Sequence, residues 1–140
     1  MAETAGAPSD ADQGYTLMIV DDSNLIRRQI ERMTRTEHLR LVGTAGNGED
    51  AVRMFGELKP DLVTMDITMP KMDGIECVTH MLKIRPDSCI LIISALADKA
   101  TAIEAIKRGA NGFLGKPFSA KELNIAFDKL LKRVAARRAG

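Results

Sequence analysis

Five side chains able to do chemistry stand directly or shortly after short apolar runs, where a strand would end. They are Asp21, Asp22, Asp66, Ser94 and Lys116. Carboxylates held close together repel one another, so ionising all three aspartates costs free energy unless a cation binds among them. No His or Cys lies nearby in the sequence, and a ligand set made only of oxygen atoms favours a hard ion. We therefore expect Mg²⁺ to be the cofactor.

A carboxylate beside Mg²⁺ and a lysine suits phosphoryl transfer. The two cations neutralise charge on the transferring group, and a carboxylate oxygen can attack phosphorus to give an aspartyl phosphate. The Ser94 hydroxyl could donate a hydrogen bond to a phosphoryl oxygen. Asp66 stands alone after its apolar run, whereas Asp21 and Asp22 are adjacent. Asp66 is therefore the better candidate for the nucleophile, and the adjacent pair is better placed to bind metal.

Each of these residues also has an ordinary structural interpretation. An aspartate after a strand commonly forms a turn or caps a helix. Ser94 could be a turn residue and Lys116 a solvated side chain. The chemical interpretation therefore depends on whether the fold brings all five side chains to one place.

Short apolar runs alternate with amphipathic segments along the chain, which predicts five strands and five helices. The predicted strands are Leu17–Val20, Leu39–Ala45, Leu62–Met65, Cys89–Ile93 and Gly112–Leu114. Helices long enough to be crossovers predict parallel pairing, and the nearly continuous apolar strands predict helices on both faces. The predicted fold is α/β, a doubly wound five-stranded parallel sheet with Leu39–Ala45 at an edge. Its site should lie at the carboxyl ends of the strands, near a topological switch point.

Capping residues and apolar spacing predict where several helices begin and which faces they bury. The predicted N-caps are Asn47, Asp98 and Ser119, the last in a capping box with Glu122. In the first helix the inner face includes either Leu25 or Ile26. In the fourth helix we expect Ala102, Ile103 and Ile106 to face the core.

Length and composition exclude several classes of protein. The 140 residues fit one domain, and 45% hydrophobic with 28% charged residues is typical of a soluble globular protein. Twenty Lys and Arg against 19 Asp and Glu leave a net charge of +1, which argues against a nucleic-acid partner. No apolar run approaches the roughly 18–20 residues that span a bilayer, and the amino terminus lacks the pattern of a signal peptide. We expect a cytoplasmic protein with no membrane partner.

Three segments are predicted along the chain. Residues 1–14 are expected to form a flexible tail, residues 15–136 a single domain, and residues 137–140 a carboxyl-terminal tail. Cys77 and Cys89 lie in apolar stretches, which favours small buried side chains in a reducing compartment over a redox pair.

Four motifs hold the candidate site residues, and their order along the chain is informative. They are Ile19–Ser23, Met65–Gly74, Ile92–Ala95 and Lys116–Phe118. In these motifs and their separations the sequence resembles response-regulator receiver domains, the CheY-like family of two-component signalling. The resemblance covers about residues 15–134, nearly the whole chain.

The resemblance implies a role for each acid. Asp66 would be the phosphoacceptor, receiving its phosphoryl group from the phosphohistidine of a sensor histidine kinase or phosphotransfer protein. Asp22, Asp66 and the backbone carbonyl of Thr68 would bind Mg²⁺, with Asp21 assisting, often through water. The domain would catalyse only its own phosphorylation and dephosphorylation, so it would not be a turnover enzyme.

The resemblance also implies a conformational switch. Lys116 would pair with the phosphoryl group, and the Lys116–Pro117 peptide resembles one that is cis in the family. Ser94 matches a hydroxyl that moves toward the phosphoryl group, and Phe113 matches the aromatic residue that follows it; from the residues alone, Phe113 is an ordinary core residue. The face made by the fourth helix, fifth strand and fifth helix would then change its affinity for a downstream protein.

We expect no output domain after the receiver. The protein would act as a monomer or weak dimer, either by binding a target such as a flagellar motor component or by passing phosphoryl groups along a relay. The positive charges beyond Asp128 are expected to form a solvated helix end that matches the helix dipole, with a docking patch as the alternative.

Two positions suggest how fast the phosphoryl group is lost. Thr68 and Leu96 stand where the best-known chemotaxis member of the family has an amide and an acid, at positions that influence hydrolysis. Leu96 has no polar atom to orient an attacking water, so we expect slower self-dephosphorylation than in that member. In Leu96→Glu we expect faster decay, measured as loss of bound phosphate over time against the wild type. An unchanged or slower decay would contradict this prediction.

Three other functions fit the sequence less well. A haloacid-dehalogenase-like phosphatase also uses an aspartyl nucleophile, but it needs two aspartates separated by one residue; Asp21 and Asp22 are adjacent, and Thr68 occupies the second position after Asp66. A flavin-binding flavodoxin-like protein needs a phosphate loop rich in Ser, Thr and Gly after the first strand, and none is present. A receiver-like scaffold that never takes phosphate would be favoured if the acids were missing, and all are present.

Overall fold

Strands and helices alternate along the chain as predicted. The structure is a computed structural model that describes residues 14–35, 38–67, 73–95 and 99–139, so residues 1–13 of the predicted amino-terminal tail lie outside it. The strands are β1 (Tyr15–Val20), β2 (Leu39–Ala45), β3 (Leu62–Met65), β4 (Cys89–Ser94) and β5 (Gly112–Gly115). The helices are α1 (Asn24–Met33), α2 (Gly48–Leu58), α3 (Gly74–Ile84), α4 (Lys99–Lys107) and α5 (Ala120–Ala139).

The five strands form one parallel sheet in the order β2-β1-β3-β4-β5. This confirms the predicted doubly wound fold, and β2 lies at an edge as expected. The chain passes outward from β1 to β2 and then crosses back to β3 on the other side of β1. The strand order therefore reverses between β1 and β3, and this is where a parallel sheet of this kind opens a crevice for a ligand.

Alternate strand side chains point into two cores, one on each face of the sheet. The core under α2, α3 and α4 contains Phe55, and the core under α1 and α5 contains Phe127. Both rings are fully buried, and burial of such a side chain contributes about 1.5–3 kcal/mol to stability. In α1 it is Ile26 that packs against the core, whereas Leu25 is 62% exposed.

Local hydrogen bonds at the helix starts confirm two of the predicted caps. The Asn47 side chain accepts a hydrogen bond of 2.9 Å from the backbone of Asp50. In the capping box, Ser119 Oγ accepts from the Glu122 backbone at 3.0 Å, and a Glu122 carboxylate oxygen accepts from the Ser119 backbone at 2.9 Å. The third predicted cap, Asp98, lies outside the described residues.

The inner face predicted for α4 is wrong at Ile103 and Ile106, although Ala102 is half-buried. Ile103 and Ile106 are 53% and 49% exposed, and Ala105 is the fully buried residue of this helix. The half-buried Thr101 and Ala102 lie on the same side as Ala105. Small side chains such as that of Ala105 let a helix approach its neighbours closely. The apolar pattern in the sequence instead indicated the larger isoleucines as the buried residues. The helix is therefore rotated, and its isoleucines point outward.

Helix α5 also extends farther than the sequence indicated. Residues 137–139 of the predicted tail are helical, because α5 continues to Ala139. Its last turn is held on the sheet: Arg138 donates a hydrogen bond of 2.8 Å to buried Asp61 and lies 4.2 Å from the centre of the Tyr15 ring. At 20 residues α5 is the longest described helix. Neither it nor any other helix in the described ranges is long and apolar enough to cross a membrane.

The two cysteines are buried and free, as predicted. Burial raises the pKa of the Cys77 thiol to about 12 and also raises the pKa of Cys89. Both side chains therefore stay protonated near neutral pH, and a thiolate is the form that reacts with oxidants and metals. This agrees with their interpretation as small core residues.

Candidate functional site

The carboxyl ends of β1 and β3 bring Asp21 and Asp66 side by side. Val20 and Met65, the last residues of these strands, are partners in the sheet register. The Asp66 backbone N–H extends the pairing by one more hydrogen bond, of 3.0 Å, to the Val20 carbonyl. Two residues far apart in the sequence thus become neighbours because β3 pairs with β1.

Three carboxylates converge at this switch point. One oxygen atom from each of Asp21, Asp22 and Asp66 can be chosen so that all three lie within 4.8 Å of one another. Asp21 and Asp66 are buried, whereas Asp22 is exposed. A small ion can therefore reach the cluster from the side of Asp22.

Lys116 reaches the same cluster from the loop after β5. Its Nζ lies 2.7 Å from a carboxylate oxygen of Asp21 and 3.6 Å from one of Asp66. Its backbone N–H donates a hydrogen bond of 2.9 Å to the Ser94 carbonyl, which fixes the loop against the end of β4. Lys116 is shared by two of the three carboxylates, and the close approach of three carboxylates favours a further cation among them.

These donors fit Mg²⁺. The cluster offers only oxygen ligands, close enough to share one ion, and a group of carboxylates suits a divalent cation. Among the described residues no His or Cys belongs to the cluster, which agrees with a hard ion rather than zinc. The carbonyl of Thr68, expected as a further ligand, lies outside the described residues.

The structure places the other predicted residues beside this cluster or on the strands leading from it. Ser94 is the last residue of β4 and is fully buried. Phe113 on β5 is half-buried and packs against the core under α2, α3 and α4. The Lys116–Pro117 peptide is cis. Leu96 lies outside the described residues.

Comparison with known proteins identifies the family of this chain. The family described as response regulator receiver domain matches residues 17–128, a range that contains the three acids, Ser94 and Lys116. The chain belongs to this family. As a receiver domain homologous to CheY, it is a phosphorylation-regulated signalling switch.

Individual relatives agree with the assignment of a receiver domain. The chemotaxis protein CheY of Thermotoga maritima is 41% identical over 119 residues, which cover 85% of this chain and 99% of that protein. The response regulator domain of Thermotoga maritima CheB is 29% identical, with a TM-score of 0.78 over 87% of this chain and 97% of that one. CheY from Borrelia burgdorferi, solved in a CheX-CheY-BeF3-Mg²⁺ complex, is 32% identical with a TM-score of 0.73, covering 87% of each chain.

The sequence did not reveal why this receiver domain needs Gly74. This glycine begins α3 directly against the backbone that follows β3, where a Cβ atom would overlap the carbonyl oxygen of Asp66 and the Cα of Ile67. The Gly74 N–H donates a hydrogen bond of 3.1 Å to the Ile67 carbonyl. The Asp73 side chain caps the helix by accepting a hydrogen bond of 2.9 Å from the Glu76 backbone N–H. The contact of Gly74 with the backbone of Asp66 depends on the fold.

Arg27 is the second residue of the receiver site that the sequence did not indicate. Its Nη1 donates a hydrogen bond to the backbone carbonyl of Asp21, and its Nη2 donates to the side chain of Asn24 at 3.2 Å. On the other side of Asp21, the Ser23 backbone donates to a carboxylate oxygen at 2.9 Å. A cation in the first turn of a helix opposes the helix dipole, and this was the signal available in the sequence.

Proposed function

We propose that the domain accepts a phosphoryl group on Asp66 from the phosphohistidine of a histidine kinase or phosphotransfer protein, and that phosphorylation changes its affinity for a downstream protein. The proposal rests on the groups that surround Asp66. It is buried at the end of a central strand, beside two further carboxylates and 3.6 Å from Lys116 Nζ. A lone nucleophile with a cation and a metal-binding pair is the arrangement that aspartyl phosphorylation requires.

In the proposed reaction a carboxylate oxygen of Asp66 attacks the phosphorus atom. The new P–O bond forms as the P–N bond to the donor histidine breaks, and the imidazole nitrogen keeps the electron pair and then takes a proton from solvent. Mg²⁺, when bound, would neutralise charge on the phosphoryl oxygens. Asp21 and Asp22 would hold the ion, and Lys116 can turn its ammonium group from Asp66 to the transferred group. The domain would therefore catalyse only its own phosphorylation and dephosphorylation.

The conformational change would be transmitted from Ser94 to the surface through β5. Ser94 ends β4, and Phe113 lies on the adjacent strand β5, so a shift at the site can be passed to the aromatic ring. The surface formed by α4, β5 and α5 also exposes Ile103, Ile106 and Ile125, which are apolar side chains that a partner could cover. Phosphorylation can change partner binding only through a difference between its interactions with two arrangements of this surface.

The named relatives support a chemotaxis role. Two of the three are CheY proteins, and one of these was solved with CheX as its partner. We infer that this chain serves a cytoplasmic chemotaxis or phosphorelay pathway. Its partner would be a protein rather than a nucleic acid or a membrane.

The proposal is tested by labelling the wild-type domain with acetyl phosphate in the presence of Mg²⁺. We expect one phosphoryl group per chain, stable in acid and labile in base, as an acyl phosphate is. Chelating Mg²⁺ with EDTA should prevent the labelling, and beryllofluoride with Mg²⁺ should give a changed NMR spectrum. Labelling that persists at full strength with EDTA, or a base-stable phosphate, would contradict the proposal.

A further inference from the structure

The side chain of Arg27 folds back from the first turn of α1 onto the end of β1. Its guanidinium donates to the backbone carbonyl of Asp21 and to Asn24, and the residue is half-buried. This carbonyl belongs to the peptide bond that joins Asp21 to Asp22. Arg27 therefore contacts the link between two acids of the site rather than their carboxylates.

The peptide bonds on both sides of Asp21 are held. The Asp21 N–H donates a hydrogen bond of 3.1 Å to the carbonyl of Ala45 at the end of β2, and the Asp21 carbonyl accepts from Arg27. Gly46 leaves the space for the guanidinium: a Cβ built there would lie 3.1 Å from Arg27 Nη1. With both peptide groups fixed, the directions in which the Asp21 and Asp22 side chains leave the backbone are fixed as well.

The guanidinium of Arg27 hydrogen-bonds to a backbone carbonyl of the acid cluster and to Asn24, and not to a carboxylate. The first turn of α1 has no acidic residue to pair with it, and the positive end of the helix dipole repels a cation. A cation beside a metal site also repels the metal ion. If Arg27 acted only through its charge, its removal would make Mg²⁺ bind more tightly. If it acts by orienting the acids, its removal would make Mg²⁺ bind more weakly.

We propose that Arg27 is a positioning residue of the metal site, which holds the Asp21–Asp22 peptide so that both carboxylates converge with Asp66. The inference rests on the proposed function, because it takes these three acids as the Mg²⁺ ligands. Groups that orient metal ligands from outside the coordination sphere commonly contribute tenfold or more to metal affinity.

The test is the Mg²⁺ affinity of Arg27→Met, measured by isothermal titration calorimetry and by the rise in Tm that Mg²⁺ causes. Neither method depends on tryptophan fluorescence, and the chain contains no tryptophan. We expect binding about tenfold weaker than in the wild type. Arg27→Lys, which keeps the charge and one donor, should restore part of the affinity. Arg28→Met is the matched control, since Arg28 is exposed on the same helix turn; its affinity should equal that of the wild type.

Several outcomes separate this inference from the proposed function. Unchanged or tighter Mg²⁺ binding in a folded Arg27→Met variant would overturn the positioning role, even if its Tm without metal were lower. If that variant does not fold, Arg27→Lys, which keeps only one donor, should still bind Mg²⁺ more weakly than the wild type; unchanged affinity there would overturn the inference too. A wild-type domain that binds no Mg²⁺ would instead refute the proposed metal site itself.

Discussion

Asp66→Asn should abolish labelling by acetyl phosphate while leaving the domain folded. The amide has nearly the same shape as the carboxylate, but its oxygen is a far weaker nucleophile, so the covalent step is lost. The substitution also removes one of three carboxylates that repel one another, so the free energy of unfolding without Mg²⁺ should not fall. Intact-mass spectrometry after incubation with Mg²⁺ and acetyl phosphate measures the labelling, and thermal unfolding measures the stability.

Two further variants make this result specific. Asp87→Asn changes an exposed aspartate that pairs with Arg85 before β4, at the opposite end of the strands from the site. This variant should be labelled like the wild type. Asp22→Asn should still be labelled but should need more Mg²⁺, because it would lose a metal ligand and keep the nucleophile. Full labelling of Asp66→Asn would refute Asp66 as the phosphoacceptor and would direct attention to another acid of the cluster.

The central strands β3 and β4 could be predicted almost to the residue because every residue in them is buried. A continuous apolar run is then a strong signal, and Cys89–Ile93 differs from the observed β4 only by Ser94. The helices were harder, since only part of each is buried. In α4 the apolar pattern favoured Ile103 and Ile106, and close packing selected Ala105 instead.

The candidate site was predictable in part for a physical reason. In a parallel sheet the carboxyl ends of all strands lie on the same side, so residues that follow the strands are brought to that side whatever the strand order. That β3 pairs with β1, which places Asp66 next to Asp21, is a fact of the fold. The contacts of Arg27 and Gly74 with this backbone are likewise tertiary. The roles of Ser94 and Phe113 came from the family resemblance and remain predictions.

A third buried carboxylate, Asp61, lies at the opposite end of the strands, just before β3. Its charge is compensated by two arginines. Its oxygens accept hydrogen bonds from the Thr16 backbone at 2.8 Å, from Arg85 at 3.2 Å and from Arg138 at 2.8 Å. These bonds join β1, the turn before β4 and the end of α5. We infer that these bonds stabilise the amino-terminal ends of the strands, away from the acids of the site.

Asp61→Ala should therefore destabilise the domain strongly. It would leave the partly buried Thr16 N–H without its acceptor and both arginines without their carboxylate. Losing one partner of a buried ion pair costs about 3–5 kcal/mol. Here we expect the lower end, about 3 kcal/mol, because the arginine side chains are 26% and 33% exposed and can regain water.

A domain of this size has a total stability of roughly 5–15 kcal/mol, so the Asp61→Ala loss would shift the urea midpoint strongly. Asp61→Asn keeps an acceptor for Thr16 and should cost less. Glu104→Ala is the matched control, because it breaks an ion pair of 2.7 Å with Arg108 between exposed side chains, and such pairs contribute at most about 1 kcal/mol. If Asp61→Ala and Glu104→Ala destabilised the domain equally, the Asp61 cluster would not anchor α5. The folded fraction of Asp61→Ala should still be labelled on Asp66, since the two clusters lie at opposite ends of the strands.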